Sequence, residues 1–350
     1  MAGRGTDRIT TDLIEAGFRS AADVADELIA YIEAAQRTLD VAIYDFQASV
    51  GETAGVASAL ETAAHRGVAV RVAINEDRPD HPAQPPPPRC IPEEVHGLDV
   101  PTRGVHGQRC LMHHKYVVRD RRGVWTGSLN WTDDAFALEE NVVLRLESAE
   151  IASAFARDFE QLWSRGTVEG TGLAGPRARV DGAMVRPFFS PKGPSQADLV
   201  TERLTRARRR IRLLSPVVTA GTILAALAEI AGRASFDLAG AYDRTQMDQV
   251  RAQWAEVPEN RWKIEAWEVI APRLSGKHSV PYHSGSVHDY MHAKAVVVDE
   301  TVLTGSYNLS RHGEDNAENL VVIEGSEQAD RFADYAERVA DRYAERRRKA

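Results

Sequence analysis

The spacing of apolar residues changes along the chain, and each change marks the end of one predicted helix or strand and the start of the next. Residues 21–37 place their apolar side chains on one face of a helix, and the apolar run at 39–44 then predicts a buried strand. A second helix at 54–64 and a second strand at 68–74 follow. Helices that alternate with buried strands predict an α/β fold, in which helices cover a sheet.

The same order of elements returns later in the chain. A helix is predicted at 198–209 and a strand at 211–216, and then a helix at 222–231 and a strand at 236–240. Each half also contains two short apolar runs around a charged turn, which predicts a hairpin. The chain is therefore expected to hold two mixed sheets, each with helices packed on it.

The repeat is also visible residue by residue. Segment 112–120 (MHHKYVVRD) matches segment 291–299 (MHAKAVVVD), and each is followed by Gly-Ser-x-Asn and then by Glu-Asn. The glycine-rich stretch between the repeats predicts a linker. We therefore divide the chain into halves at 1–165 and 184–350, joined by a linker at 166–183.

A proline-rich segment, 79–92, contains four consecutive prolines and predicts a stiff extended loop. The second half has a helix-like segment, 246–257, at the corresponding place. The loop is expected to be a rigid insertion near the mouth of a site.

Composition limits the classes of protein that fit. The 350 residues are 43% hydrophobic and 27% charged, which is typical of a folded soluble protein. The net charge of -8 means that an anionic substrate must be held by a local basic site. We find no secretory signal and no apolar run that could cross a bilayer. The two cysteines, Cys90 and Cys110, favour a reduced cytoplasmic chain.

The repeated His-x-Lys pattern suits attack on a phosphodiester. On a strand, residues i and i+2 face the same side, so His113 and Lys115 point together, whereas His114 points away. His292 and Lys294 repeat the pair. One histidine can attack phosphorus and the other can protonate the leaving oxygen, while lysines and amides hold the phosphate oxygens.

This pattern resembles the phospholipase D superfamily, and the match covers about 10–165 and 184–340. The resemblance implies two tandem repeats that form a bilobal, pseudo-twofold monomer with one active site, so no second chain is required. It also implies a covalent phosphohistidine intermediate and no metal or other cofactor. The lysine beside each histidine would itself repel a cation.

The resemblance carries over to two sets of residues. The expected catalytic residues are His113, Lys115, Asn130, His292, Lys294 and Asn308. The expected supporting residues are Asp120, Ser128, Glu140, Asp299, Ser306 and Glu318. Within the second set the glutamates should orient the histidines, the serines should fix the site by hydrogen bonds, and the aspartates should have a structural role. The N-terminal histidine is usually the nucleophile in such proteins, which favours His113.

The substrate is left open between nucleic acid and phospholipid. Arginine runs at 119–122, 206–212 and 346–349 could follow a phosphate backbone, although each is also typical of a solvated helix end. Trp125 and Trp131 could stack on bases, although a core position for Trp131 is the simpler hypothesis. These features favour a nuclease.

Two alternatives remain. A phospholipase or phosphatidyl transferase uses the same chemistry, but an acidic protein docks poorly on anionic membranes, so contact would fall to loops such as 79–92 or 271–290. The other alternative is a nucleic-acid binding module that has no need of its histidines. Neither motif lacks a residue, which argues against a decayed site.

Overall fold

The computed structural model describes residues 7–17, 19–76, 92–283 and 285–347. Cys90, the pair Asp77 and Arg78, nearly all of the proline-rich segment and the side chains of the arginine run at 346–349 lie outside the described residues. Among the described helices, none has the combination of length and apolar composition that a membrane crossing needs.

Within the described residues of the first half, seven strands form a mixed sheet. They are β1 (Arg8–Ile14), β2 (Thr38–Ile43), β3 (Ala69–Asn75), β4 (Thr102–Val105), β5 (Lys115–Arg119), β6 (Gly123–Gly127) and β7 (Asn141–Glu147). Their order is β1-β7-β6-β5-β2-β3-β4. Strands β2, β3 and β4 are parallel to one another, and the other neighbours are antiparallel.

In the part of the second half that the structure describes, eight strands form the sheet. They are β8 (Ala178–Val180), β9 (Ala183–Phe189), β10 (Arg210–Ser215), β11 (Asp237–Asp243), β12 (Ser275–Lys277), β13 (Ala295–Val298), β14 (Thr301–Gly305) and β15 (Asn319–Glu324). Their order is β12-β11-β10-β13-β14-β15-β9-β8, which repeats the first sheet and adds β8 at one edge. Strand β8 lies within 166–183, the segment predicted as a linker, and it pairs in the second sheet. The linker itself stays a prediction.

The helices also repeat, with additions in the second half. The first half has α1 (Ala21–Glu33), α2 (Thr53–His65), α3 (Pro92–His96), α4 (Asp133–Ala137) and α5 (Ala149–Arg165). The second half has α6 (Gln196–Thr205), α7 (Gly221–Ala231), α8 (Arg244–Ala255), α9 (Arg261–Ile270) and α10 (Ser326–Arg347). Short 3₁₀ turns lie at Pro258–Asn260, Ala271–Arg273 and His312–Glu314. The predicted helices and hairpins are present, with ends shifted by a few residues.

One apolar core joins the two halves. It contains Phe155 and Phe159 of α5 together with Phe332 and Tyr335 of α10, all fully buried. Two further cores lie under α1 and α2 in the first half and under α6 and α7 in the second. Burial of large aromatic side chains is a major source of stability, so the halves are held against each other by packing as well as by the chain connection.

Each motif aspartate supports the sheet from a turn. Asp120 and Asp299 have φ of 55° and 53° and follow β5 and β13. The Asp120 carboxylate accepts the backbone N–H groups of Gln36, Arg37 and Thr38 at 3.0, 2.6 and 2.9 Å. Asp299 accepts those of residues 208–210 in the same way. Both side chains therefore tie the hairpin to the start of the neighbouring strand, far from the histidines.

Candidate active site

Both His-x-Lys segments are anchored at the end of a parallel strand. Asn75, the last residue of β3, accepts the Met112 N–H at 2.9 Å, and Asp243, the last residue of β11, accepts the Met291 N–H at 3.0 Å. Both anchors are buried. The strand register makes Asn75 the counterpart of Asp243. These anchors set each histidine at the carboxyl edge of its sheet.

His113 contacts a carboxylate from the other half. Its Nδ1 lies 2.8 Å from Glu318 Oε1 and 3.0 Å from Oε2, and both side chains are buried. The His113 backbone N–H donates to Ala317 O at 3.0 Å, which holds the two segments side by side. The Tyr44 ring packs against the imidazole at 4.7 Å. An Nδ1–H that donates to Glu318 leaves the Nε2 lone pair of His113 free.

His292 has a different partner. Its Nδ1 lies 3.1 Å from Asn141 Oδ1 and 3.3 Å from Glu139 Oε2. Asn141 Nδ2 donates to Ala135 O and to Glu139 Oε2, both at 3.2 Å, which orients Oδ1 toward His292. The nearest acceptor for this histidine is therefore an amide and not a carboxylate.

The two halves differ by one residue between the serine and the histidine partner. Ser128 Oγ donates to Asn141 Oδ1 at 2.7 Å, and Ser306 Oγ donates to Glu318 Oε2 at 2.6 Å. Each serine hydroxyl also accepts, at 2.9 Å, the backbone N–H of the residue after its partner, Val142 in the first half and Asn319 in the second. Asn141 is thus the structural counterpart of Glu318, although the sequence repeat pairs Glu140 with it.

Glu140 does not orient a histidine, and that expectation is wrong. Its carboxylate lies 2.8 Å from Lys277 Nζ and accepts the Tyr343 hydroxyl, and all three side chains are buried. Glu140 and Glu318 both follow the motif serine by 12 residues. However, β6 pairs with β7 in a register, Gly127 with Val143, that is shifted by one residue from that of β14 and β15, Gly305 with Leu320, and this shift turns Glu140 away from His292. The contact links β7, β12 and α10, so it joins the two halves.

The two lysines meet the site from opposite halves. Lys115 Nζ donates to His113 O and Lys294 Nζ donates to His292 O, each at 2.7 Å. Burial lowers the pKa of Lys115 to about 7. Burial also lowers the pKa of Lys294, and the charge of Lys115 lowers it further. Two ammonium groups that repel each other in a buried site favour an anion between them.

Burial and the lysine charges also set the protonation of the histidines. Burial lowers the pKa of His113, and the charges of Lys115 and Lys294 lower it further. The same causes lower the pKa of His292. Both imidazoles are neutral at pH 7 in the free site, and a bound anion would reverse the contribution of the lysines.

The carboxyl groups beside the histidines are shifted in the opposite direction. Burial raises the pKa of Glu318 to about 7, although Lys115 and the Ser306 hydroxyl act against it. Burial raises the pKa of Glu139 to about 8, against the charge of Lys294. The site therefore contains several groups that titrate near neutral pH, as is typical of acid–base chemistry.

Two amide side chains complete the set that the sequence predicts. Asn130 and Asn308 lie after the serines and are half-buried. The Oδ1 atom of each is buried and has no hydrogen-bond partner within the part of the chain that the structure describes. A half-turn of an amide exchanges its oxygen and nitrogen without changing its shape, so either residue can offer an N–H to a ligand.

Other candidates for substrate contact lie elsewhere. His114 is fully buried with Nε2 3.1 Å from Asp158 Oδ2, as the strand register predicts. Trp125 and Trp131 are also buried, and Trp131 packs on Phe46, so neither can stack on a base. Burial raises the pKa of Cys110 to about 12, so its thiol stays protonated.

The two arginine runs that the structure describes, 119–122 and 206–212, do not face the site. Arg119 lies at the far end of β5, where it pairs with Glu147 at 2.6 Å. Arg206 and Arg209 pair with Glu202 and Glu300 before β10, again at the edge opposite the histidines. Their charges are already compensated by carboxylates. The sequence argument from arginine runs toward nucleic acid is therefore not supported at these positions.

Comparisons with known proteins agree with the repeat. The family model described as "Cardiolipin synthase, PLD-like domain" matches residues 28–163 and 200–340. "Mitochondrial cardiolipin hydrolase" of Xenopus laevis is 32% identical over 137 residues, which are 39% of this chain and 59% of that protein. The human protein of the same name is 41% identical over 54 residues, 15% of this chain and 21% of its own length. The chain thus spans less than two thirds of these relatives.

A solved structure shares the fold along nearly the whole chain. The phosphatidylserine synthase of Haemophilus influenzae Rd KW20 has a TM-score of 0.62 and 14% identity, and the match covers 96% of this chain and 85% of that one. At this identity the likeness concerns the fold alone. Together with the two sheets, it confirms the predicted α/β architecture of two tandem repeats.

Proposed function

The chain belongs to the phospholipase D superfamily, and from that premise we propose that it is a metal-independent phosphodiesterase that works through a phosphohistidine intermediate. The observation that carries the proposal is the pairing of His113 with Glu318 across the two halves, opposite a second histidine that is paired with an amide. Both half-sites are in one chain, so a dimer is not required.

In the first step, His113 is the nucleophile. Its Nδ1–H stays on Glu318, and its Nε2 lone pair attacks phosphorus, which forms a P–N bond. The bond between phosphorus and the leaving oxygen breaks, and protonated His292 gives that oxygen its proton. The Glu318 carboxylate stabilises the positive charge that develops on His113, which an amide could do only weakly.

In the second step, the roles of the histidines change. Neutral His292 takes a proton from water as the water oxygen attacks phosphorus. The P–N bond breaks, and His113 leaves with its lone pair. His292 is again protonated for the next cycle, so protons balance over the two steps.

The phosphate oxygens are held by four side chains. Lys115 and Lys294 supply positive charge, and Asn130 and Asn308 supply amide N–H groups. Binding of the anionic diester between the lysines raises the pKa of His292, because the phosphate charge offsets theirs. Substrate binding thereby prepares the general acid.

Nucleic acid is the substrate that we propose, and the support comes from an aromatic row beside His292. The rings of Tyr282 and His288 lie 6.2 Å apart, and those of His288 and Tyr290 lie 5.1 Å apart. Tyr290 is buried, so the partly exposed rings of Tyr282 and His288 are the ones that can stack on bases of a single strand. A cytoplasmic setting is part of the proposal, and the free thiol of Cys110 is consistent with it.

The test is cleavage of end-labelled single- and double-stranded DNA and RNA in excess EDTA. Wild-type protein should cut at least one of these substrates, and His113→Ala and His292→Ala should lower the rate by at least 10³-fold, roughly the effect of removing a nucleophile. His65, which is exposed at the end of α2, provides a matched control, and His65→Ala should keep full activity. Full activity in both site variants would refute the two-half-site mechanism.

A phospholipid is the second candidate substrate. It is favoured by the similarity to proteins named mitochondrial cardiolipin hydrolase. Product release from vesicles that contain cardiolipin, measured with the same variants, separates the candidates. Lipid turnover that needs His113, without nucleic-acid cleavage, would replace the nuclease proposal and keep the phosphodiesterase mechanism. Binding of nucleic acid without any turnover would instead favour the binding module.

A further inference from the structure

A pocket of about 250 Å³ lies at the carboxyl edge of the second sheet, beside β11 and β12. It is formed by the start of α8 and the segment before His292. Its polar and aromatic lining consists of Thr245, Gln246, Gln249, Ser279, Tyr282 and Tyr290. Pockets at this edge of an α/β sheet are common places for a ligand.

The pocket is tied to His292 by one buried carboxylate. Asp243 Oδ1 accepts the Ser279 hydroxyl at 2.8 Å, and Asp243 Oδ2 accepts the Met291 N–H at 3.0 Å. Tyr290 lines the pocket two residues before His292. A group bound in the pocket therefore lies on the His292 side of the phosphate.

The lining has the chemistry that suits a nucleobase. It carries no charged side chain, so it offers nothing specific to a phosphate or an ammonium headgroup. The side-chain amides of Gln246 and Gln249 have no hydrogen-bond partner within the described residues. A glutamine amide can donate to and accept from a base edge at once, and a tyrosine ring can stack on its face.

We propose that this pocket binds the base of the nucleoside that departs in the first step. The inference rests on the proposed function, because it takes His113 as the nucleophile and His292 as the acid. In-line attack by His113 places the leaving oxygen opposite it, next to His292. The base attached to that oxygen is then the one within reach of Gln246 and Tyr282.

The test uses a hexanucleotide with one phosphodiester among uncharged methylphosphonate linkages, so that only one bond can be cut. An alkaline quench preserves the phosphohistidine, which is labile in acid. The fragment found on His113 then identifies which side of the scissile phosphate is retained. Abasic versions on each side of the scissile phosphate are then compared. Loss of the departing base should lower kcat/KM by about 5- to 100-fold, as loss of a stacked base does. Loss of the retained base should have a smaller effect.

Gln246→Ala links the effect to the pocket. Only the backbone N–H of Gln246 caps α8, so the substitution keeps that hydrogen bond. The variant, and Tyr282→Ala as a second one, should lower kcat/KM for the intact substrate and shrink the penalty for the departing abasic site. Gln36→Ala, an exposed glutamine at the opposite edge of the first sheet, should leave the penalty unchanged.

The outcomes separate this proposal from the proposed function. Cleavage with equal penalties on both sides, or a penalty that Gln246→Ala leaves unchanged, would overturn the base pocket alone. Absence of any oligonucleotide cleavage would overturn the nuclease and the base pocket together. Headgroup release from phospholipid vesicles that falls in Gln246→Ala would assign the pocket to a lipid headgroup and also overturn the base pocket.

Discussion

Asn141 occupies in the first half the place that Glu318 occupies in the second. Each accepts a hydrogen bond from the serine of its Gly-Ser-x-Asn motif, and each contacts Nδ1 of the histidine from the other half. A carboxylate stabilises an imidazolium far better than an amide does. The repeat is therefore symmetric in its fold and asymmetric in its chemistry, which favours different roles for His113 and His292.

The first prediction concerns this asymmetry. Glu318→Gln keeps the shape of the side chain and removes its charge, so formation of the phosphohistidine should slow by about 10- to 100-fold. Asn141→Ala should mainly slow the proton transfer at His292. Rapid mixing with labelled substrate, followed by alkaline quench, measures the first step directly. A normal rate of phosphoenzyme formation in Glu318→Gln, with a slow one in Asn141→Ala, would assign the nucleophile to His292.

The second prediction uses a leaving group that needs no proton. A nucleoside 4-nitrophenyl phosphate should still react with His113 in the His292→Ala variant, whereas water attack lacks its general base. The phosphoenzyme should therefore accumulate after one burst of 4-nitrophenolate. His113→Ala should give neither burst nor phosphoenzyme. Mass spectrometry of the quenched protein locates the modification, and a burst in His113→Ala would contradict the assignment.

The third prediction concerns Glu139, whose pKa burial raises from its usual 4.5 to about 8. Between these two values the folded protein binds more protons than the unfolded one, so the contribution of Glu139 to stability falls as pH rises through this window. Glu139→Gln removes that dependence. The midpoint of thermal unfolding of wild type, measured against that of the variant, should fall from pH 4.5 to 8. Parallel curves would show that the carboxyl is not protonated in the fold.

The fourth prediction separates structure from catalysis at the motif aspartates. Asp120→Ala leaves three backbone N–H groups without their acceptor, and should lower the free energy of unfolding by about 1–3 kcal/mol. Those N–H groups lower the pKa of Asp120 although partial burial opposes them, so its contribution is present above pH 3.8 and is lost as pH falls. Urea unfolding measures the loss. At a temperature where the variant is folded, kcat should equal that of wild type, and a large fall in kcat would assign Asp120 to the chemistry.

Much of this architecture follows from local pattern. The helix faces, the buried strands and the repeated hairpins are short-range features, and the register of i and i+2 on a strand separates His113 from His114. The strand β1 and the helix α10 were not predicted. Their positions depend on pairing and packing between distant segments, such as β1 with β7, which a period along the chain does not encode.

The partners of the histidines show most clearly what the sequence alone does not predict. The pattern Glu-Asn occurs in both halves, so the sequence aligns Glu140 with Glu318. The pairing of β7 with β6 is shifted by one residue relative to that of β15 with β14, and this shift moves Asn141 into the site instead. Both glutamates follow their motif serine by 12 residues, so the sequence carries no signal of this shift, which arises from the pairing of distant strands. The arginine runs at 119–122 and 206–212 were misleading for a related reason, because strand direction places them at the edge of the sheet opposite the histidines.

The last prediction concerns the buried pair of Glu140 and Lys277, which joins β7 to β12 across the two halves. Removal of one partner leaves a buried charge alone, so Glu140→Leu or Lys277→Met should each lower the free energy of unfolding by about 3–5 kcal/mol. The double variant Glu140→Leu with Lys277→Met should recover much of that loss, because neither charge is left unpaired. Chemical unfolding of all four proteins gives the coupling between the two residues.

The same variants test whether Glu140 acts on catalysis. Glu140 contacts no site histidine, so the double variant should keep the pH profile of kcat/KM while its stability changes. A residue that oriented His292 would instead shift that profile in every variant that lacks the carboxylate. An altered profile in the stable double variant would return Glu140 to the active site, whereas an unchanged profile would leave it as the buried contact that holds the two halves in register.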